Sequence, residues 1–170
     1  METIFVSLIS IILIIASSMT LTINWMKSTD KVATSWRQMV TQSLEISKTS
    51  ITALPPQSYH DGVLEISVAN NGQISLSDFS KWDVIVEYES GESTYLSYSS
   101  GQVPEENRWF VSGILSSNNR PEIFNPNVLD PGEQLVINFI PSEDLLVGQS
   151  CRITVSTQNG VKTQVDVARE

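Results

Sequence analysis

The run IFVSLISIILIIA (Ile4–Ala16) lies near the start of this 170-residue chain, inside a stretch from Thr3 to Met26 without a charged residue, a proline or a glycine. At a rise of about 1.5 Å per residue, the roughly 24 residues of that stretch make about 36 Å of α-helix. This length exceeds the ~30 Å hydrocarbon core of a bilayer. The sequence therefore predicts a membrane-spanning helix close to the N-terminus.

The helical pattern continues past the apolar stretch. Apolar residues recur at spacings of three and four, with charged and amide residues between them. No glycine precedes Gly62 and no proline precedes Pro55, so nothing should interrupt the helix. We predict one unbroken helix from about Glu2 to about Lys48, closed by a linker at Pro55-Pro56.

Two sets of helix residues are candidate contact sites. Seven residues of the apolar half are predicted to form the core of a helix bundle: Ile4, Phe5, Leu8, Ile11, Ile12, Ile15 and Met19. Four residues of the amphipathic half are predicted to pack on the following domain or on a neighbouring copy: Val32, Trp36, Val40 and Leu44. Small hydroxyl residues such as Ser7 and Ser10 let helices approach closely and can donate to the carbonyl four residues earlier.

The N-terminal stretch differs from a secretory signal peptide, which has a basic start, a short apolar run and a small-residue cleavage site. The only charged residue before the apolar stretch is Glu2, whereas Lys27 and Lys31 follow that stretch. By charge alone, these lysines would place the rest of the chain inside the cell. Removal of a basic leader from before Met1 would resolve that conflict. Trp25 is typical of the boundary between membrane and water.

After residue 48 the apolar period changes from 3.6 to two. Eight alternating runs follow: Ser50–Leu54, Val63–Val68, Trp82–Tyr88, Tyr95–Tyr98, Trp109–Val111, Gln134–Phe139, Arg152–Ser156 and Val161–Val167. Turn signals separate them, and Asn159-Gly160 is the strongest hairpin signal of the chain. The polar stretch Ser116–Asn127 is predicted to be a surface loop.

Seven or eight short strands at this spacing predict an antiparallel, immunoglobulin-like sandwich. The predicted fold class is therefore α+β. Residues 1–48 are predicted to form the hydrophobic helix, and residues 49–170 the β-sandwich outer domain.

Charge is unevenly distributed along the chain. The net charge is -9, and residues 49–170 alone carry 6 basic and 16 acidic residues, which makes about -10. An acidic outer domain favours solubility and argues against a nucleic-acid partner. The single cysteine, Cys151, excludes an intramolecular disulfide.

The sequence offers little for chemistry, and we predict no catalytic residue, no metal site and no cofactor. His60 is the only histidine, so it lacks a second histidine or a nearby cysteine for a metal site or a triad. We interpret it as a solvated linker residue, and Cys151 as a small core residue. Three acidic clusters leave calcium binding open as an alternative, although none has the spacing of a calcium loop: Glu87/Glu89/Glu92, Glu105/Glu106 and Glu143/Asp144. Trp82 and Trp109, like Trp36, are predicted to be packing anchors.

The predicted sandwich that follows the helix contains five short motifs: Val68-Ala69-Asn70-Asn71-Gly72, Trp82-Asp83-Val84-Ile85-Val86, Asn125-Pro126, Leu129-Asp130-Pro131-Gly132-Glu133 and Asn159-Gly160-Val161. With these motifs the whole chain resembles the archaeal type IV pilin and archaellin superfamily, most firmly in its helix. It departs from bacterial pilins at position five, where Phe5 stands instead of glutamate, and it has no Asn-X-Ser/Thr sequon.

The resemblance implies a structural subunit of an extracellular filament that polymerises through its N-terminal helix, for motility or adhesion. Its partners would be copies of itself in a helical homopolymer, the membrane before assembly, an assembly platform and a prepilin peptidase. Two alternatives stay open. One is a minor accessory protein or periplasmic anchor of such a system, and the other is a membrane-anchored β-sandwich that binds a partner without polymerising.

Overall fold

The computed structural model describes residues 2–60, 62–101, 103–142 and 145–169, without the side chains of residue 2 and of residues 55–60. A single helix, α1 (Glu2–Lys48), spans 47 residues without a break. This confirms the predicted helix. The chain divides into two compact units, Met1–Ser43 and Leu44–Glu170, and each is described by itself.

Hydroxyl side chains in α1 donate to the helix's own backbone. The Ser10 Oγ donates to the Val6 carbonyl at 2.9 Å, and the Ser18 Oγ donates to the Ile14 carbonyl at 2.8 Å. The same geometry recurs at Ser17, Thr20 and Thr22. These bonds confirm the predicted pattern except at Ser7, whose Oγ donates to the Ile4 carbonyl, three residues earlier rather than four. They pair polar groups that an apolar surrounding would otherwise leave without a partner.

Eight strands follow the helix: β1 (Ile51–His60), β2 (Val63–Asn70), β3 (Asp83–Tyr88), β4 (Ser93–Tyr98), β5 (Arg108–Leu115), β6 (Gln134–Phe139), β7 (Ser150–Ser156) and β8 (Lys162–Ala168). Each contains one of the eight alternating runs, in whole or in large part. The α+β class is therefore confirmed, and so is the surface loop between β5 and β6.

The strands form one eight-stranded sheet in the order β1-β2-β6-β5-β4-β3-β7-β8. Its two halves share a single core, so the sheet folds over on itself as a sandwich. Leu64, Ile137 and Phe139 come from one half, and Val84 and Ile153 from the other, and all five are fully buried in that core.

The prediction of a wholly antiparallel sandwich is wrong at one place. β4 and β5 are parallel, with Ser97 opposite Arg108 and Tyr98 opposite Trp109. A tight hairpin joins only antiparallel neighbours. β4 ends at Tyr98 and β5 begins at Arg108, and the nine residues between them are more than a tight hairpin uses, so the two strands can run in the same direction.

The prediction of a linker at Pro55-Pro56 is also wrong. Both prolines lie within β1, at a shift in the pairing register between Leu54 and Ser58. β1 is an edge strand, and proline is tolerated at edges and bulges because no ladder hydrogen bond is then lost. His60 likewise belongs to β1, opposite Val63, although its side chain lies outside the described residues.

Aromatic residues anchor the sandwich core. Trp82 and Trp109 are 1% and 0% exposed. The Trp109 ring meets Tyr98 edge-on at a centroid distance of 4.9 Å, and Trp82 meets Phe79 at 5.3 Å. The predicted role of these two tryptophans as packing anchors is confirmed. Cys151 is also buried, as predicted.

Candidate assembly surface

The predicted bundle-core residues are exposed along the first half of α1. All seven side chains are between 56% and 68% exposed: Ile4, Phe5, Leu8, Ile11, Ile12, Ile15 and Met19. Six of them, all but Phe5, follow one another at spacings of one, three and four, which places them on one face of the helix. Their role in assembly stays a prediction. Exposed apolar surface on this scale is unfavourable in water, so lipid or protein must cover it.

The helix contains one segment long and apolar enough to cross a membrane, with a mean hydropathy of 2.5 and none of it buried. A bilayer needs only about 20 such residues. The 47 residues of α1, at about 1.5 Å each, extend to about 70 Å, roughly twice the thickness of the hydrocarbon core. The second half of α1 is therefore longer than an anchor needs.

That second half carries a further apolar stripe. Val32 and Trp36 are 65% exposed, Leu44 is 54% exposed and Val40 is 44% exposed. Met39, which directly precedes Val40, is 62% exposed. The predicted packing of these residues on the outer domain or on a neighbouring copy stays a prediction.

The end of α1 runs into the outer domain without a flexible linker. Only Thr49 and Ser50 separate Lys48 from β1. The Thr49 amide donates to the Glu45 carbonyl at 3.0 Å, and the Gln73 amide donates to the Lys48 carbonyl at 2.8 Å. Thr49 itself is buried. The last turn of the helix is therefore hydrogen-bonded to the outer domain through its backbone.

Gly72 makes this junction possible. A Cβ at this position would lie 2.6 Å from the Lys48 carbonyl oxygen and 2.8 Å from the Ser50 amide nitrogen, so only glycine fits without a backbone shift. The buried Asn70 side chain holds the turn, because its Oδ1 accepts from the Gly72 amide and its Nδ2 donates to the Leu129 carbonyl. Sequence reasoning treated Asn70-Asn71-Gly72 as a turn and missed the junction. The asparagine pair beside a glycine was the available signal.

The described residues contain no group of three or more His, Cys, Asp or Glu side chains that could hold a metal ion. Within the candidate calcium clusters, Glu105 is 2.9 Å from the Arg108 guanidinium, and Glu89 accepts from the Ser150 hydroxyl. Glu143 and Asp144 lie outside the described residues. Burial raises the pKa of the Cys151 thiol to about 11, so this sulfur is protonated at neutral pH and a poor nucleophile.

The chain thus combines an unbroken N-terminal helix, apolar in its first half, with a single β-sandwich. No protein-family model matches this sequence, and no curated protein matches it.

Solved structures do match. The archaeal flagellum of Methanospirillum hungatei strain JF1 matches 95% of this chain and 91% of its own, at 17% identity and a TM-score of 0.54. Archaeal flagellin FlaB1 from Methanocaldococcus jannaschii matches 71% of this chain and 90% of its own, at 12% identity and a TM-score of 0.57. The archaellum periplasmic stator protein FlaG from Sulfolobus acidocaldarius matches 69% of this chain and 98% of its own, at 20% identity and a TM-score of 0.53.

These similarities show that the chain shares the fold of these archaeal structures, which is the fold that the sequence resemblance predicted. Residues 49–170 are 122 of the 170 residues, which is under three quarters of the chain. A match over 95% of the chain therefore includes much of α1 as well as the sandwich.

Proposed function

We propose that this protein is a structural subunit of an archaellum-like extracellular filament, which polymerises through α1 and presents the acidic β-sandwich outward. Before assembly, the stretch from Thr3 to Met26 would lie in the membrane. In the filament, the helices of neighbouring copies would cover the same surface. The role is structural rather than catalytic, and it requires no cofactor.

The observation that carries this proposal is the unbroken length of α1 beyond the membrane-spanning stretch. A chain that only anchors a domain needs about 20 apolar residues and a connection to the domain. Here the helix continues for 22 residues past Met26 and keeps an exposed apolar stripe. A bundle of neighbouring helices would cover both halves of the helix, whereas a bilayer would cover only the first.

Energetics allow one helix to serve both states. Relative to water, burying a helix this apolar amounts to tens of kcal/mol of gross transfer free energy at ~25 cal/mol per Å². Relative to lipid, the gain is small and comes from close packing, which small residues such as Ser7 and Ser10 permit. The helix would therefore be stable in the membrane and still leave it for the filament.

The interface would be heterologous and repeat by a helical operation, so that assembly does not close into a ring. The resemblance further implies an assembly platform and a prepilin peptidase as partners. N-terminal sequencing of the mature protein tests the peptidase: a leader cut before Met1, after a basic residue and glycine, is the expected result.

Abundance in purified surface filaments tests the main proposal. We expect this chain to be the principal component, present in every repeat of the filament. Filaments that form normally in cells lacking this protein would contradict a principal role.

A second candidate function is that of a minor or anchoring component, such as a periplasmic stator-like protein. The observation that favours it is a match that covers 69% of this chain and 98% of the FlaG chain. In that case the protein would stay with the cell envelope when filaments are sheared off. Fractionation of sheared cells therefore separates the two candidates.

A further inference from the structure

Three carboxyl groups meet where the loop between β5 and β6 enters β6. Asp130 and Glu133 lie on the tight turn directly before the strand, and Glu122 lies earlier on the same loop. All three residues are half-buried. Within the part of the chain that the structure describes, no ion pair joins any of the three to a lysine or an arginine. Like charges therefore lie close together here without a neutralising cation.

Backbone amides fix the first of these carboxyl groups. The Glu122 carboxylate accepts from the Phe124 amide at 2.8 Å and from the Asn125 amide at 3.4 Å. The Glu122 amide donates to the Ile114 carbonyl of β5 at 2.8 Å. Residues 122–125, which we call the Glu122 turn, are thus closed by the side chain of their own first residue.

A second turn is closed in a similar way. The Asp130 amide donates to the Glu133 carboxylate at 2.8 Å, and the Glu133 amide donates back to the Asp130 carbonyl at 3.1 Å. The Asp130 carboxylate accepts from the Ser75 hydroxyl. Residues 130–133, which we call the Glu133 turn, therefore keep their shape without help from the Glu122 turn.

The two turns meet through their glutamates. The side-chain carboxyl groups of Glu122 and Glu133 are hydrogen-bonded to each other. An ionised carboxylate has no proton to donate, so this bond exists only while one of the two groups is protonated. Burial raises the pKa of Glu133, and the bond to Glu122 and the charges of Glu122 and Asp130 raise it further. The Phe124 amide is the main cause that holds the pKa of Glu122 below its ordinary value, so Glu133 carries the shared proton.

The segment between the two turns is fixed to the domain at its ends. The Glu122 amide bonds to β5 at one end, and Leu129 exchanges two backbone hydrogen bonds with Leu76 at the other, at 2.8 and 2.9 Å. Residues 123–127 between these points are all exposed. This segment can therefore separate from the Glu133 turn without disturbing the buried core.

We propose that Glu122 and Glu133 form a proton-dependent latch, in which one shared proton holds the Glu122 turn against the Glu133 turn and its loss releases residues 123–128. Without that proton, two carboxylates would lie within hydrogen-bond distance in a partly desolvated place, where repulsion exceeds its value in water. The charge of Asp130 adds to this repulsion. Each turn keeps its own hydrogen bonds, so the two turns can part as units.

The direction of the pH dependence follows from the two glutamates. The folded pKa of Glu133 is raised, so its contribution to stability is present below the unfolded pKa and is lost as pH rises through the folded pKa. The folded pKa of Glu122 is lowered, so its contribution is present above the unfolded pKa and is lost as pH falls through the folded pKa. The latch is therefore closed between the folded pKa of Glu122 and that of Glu133.

Nuclear magnetic resonance of the full-length chain in detergent micelles tests the release. The carbon-13 signal of the Glu133 carboxyl group reports its titration, and nitrogen-15 relaxation reports the order of residues 123–128. Below that titration we expect backbone order parameters of about 0.85, and above it values below about 0.6. Glu133→Gln should keep about 0.85 throughout, because the introduced amide donates to Glu122 and still accepts from the Asp130 amide.

Glu92→Gln is the matched control. Glu92 is exposed and belongs to neither turn, so this variant should follow the wild-type order parameters at every pH. Order parameters of residues 123–128 that do not change across the titration of Glu133 in the wild-type chain would overturn the proposal. A release that persists in Glu133→Gln would also overturn it.

Glu122→Gln separates the shared proton from simple burial. The introduced amide would donate to the charged form of Glu133, so the titration midpoint of Glu133 should fall by about one pH unit or more. If burial alone raises the pKa of Glu133, the midpoint should stay at its wild-type value, and that result would overturn the latch. This variant also keeps the acceptor for the Phe124 and Asn125 amides, so the Glu122 turn should still form.

Discussion

The two halves of this chain use apolar residues in opposite ways. In α1, each residue of the run Ile11–Ile15 is more than half exposed. This apolar surface is unfavourable in water and needs lipid or other helices to cover it. In the outer domain, Leu64, Ile137 and Val155 are fully buried by the domain's own strands. The comparison shows that the outer domain contains its own source of stability, whereas the helix depends on its surroundings.

The difference also explains where charge is placed. The stretch from Thr3 to Met26 has no charged residue, while residues 49–170 hold 16 of the 19 acidic residues. The proposed function accounts for the uncharged stretch, because desolvation of a charge is costly both in a membrane and in a helix bundle. A domain that faces water uses charge for solubility.

Removal of the helix is expected to have the largest effect, because it separates the outer domain from the apolar surface of α1. A truncated chain beginning at Ser47 should be soluble, cooperatively folded and monomeric, because the core lies within the outer domain. Size-exclusion chromatography and thermal unfolding measure this. If the truncated chain still forms fibres, the helix is only an anchor, and a membrane-anchored binding domain becomes the better description.

The next largest effect is expected from a charge in the apolar half of α1. Ile12→Asp should insert poorly and block assembly, because a lone carboxylate at that depth costs about 2.5–3.5 kcal/mol or more. Filament yield and membrane fractionation measure both steps. Ile12→Val is the control and should assemble normally. Normal filaments from Ile12→Asp would exclude a tightly packed core at this position.

A substitution in the amphipathic half of α1 tests which of two candidate partners covers its apolar stripe, the chain's own outer domain or a neighbouring copy. Trp36→Glu should abolish filaments, or else destabilise the outer domain by ~3 kcal/mol or more, since it places a charge where a ring is predicted to pack. Lost filaments with an unchanged melting temperature would indicate a neighbouring copy. A lowered melting temperature would indicate the chain's own domain. Trp36→Phe is the conservative control, and no change in either measurement contradicts the predicted packing.

The smallest effect is expected at the junction between α1 and the sandwich. Gly72→Ala should lower the free energy of unfolding of the outer domain by about 1–3 kcal/mol, because the added methyl group meets the Lys48 carbonyl and the Ser50 amide. Gly113→Ala is the matched control, since a Cβ there would meet no atom within 4 Å. Chemical denaturation measures both variants, and equal effects would contradict the close approach at Gly72.

Much of the architecture was predictable from residue patterns alone. The period of 3.6 without a breaker before Pro55 predicted α1 to its last residue, and the period of two predicted all eight strands. These signals are local, because backbone geometry determines which neighbours share a face. The candidate bundle-core residues followed from the same local pattern, and their exposure agrees with a surface that needs a partner.

What only the tertiary structure decided depends on contacts between residues far apart in sequence. The parallel pairing of β4 with β5, the place of Pro55-Pro56 at a bulge of an edge strand, and the meeting of Gly72 with Lys48 are three such features. The sequence by itself determined the elements and their apolar faces, since these depend on neighbours along the chain. Strand order and the helix junction depend on which distant segments pack together, and the folded chain alone specifies that.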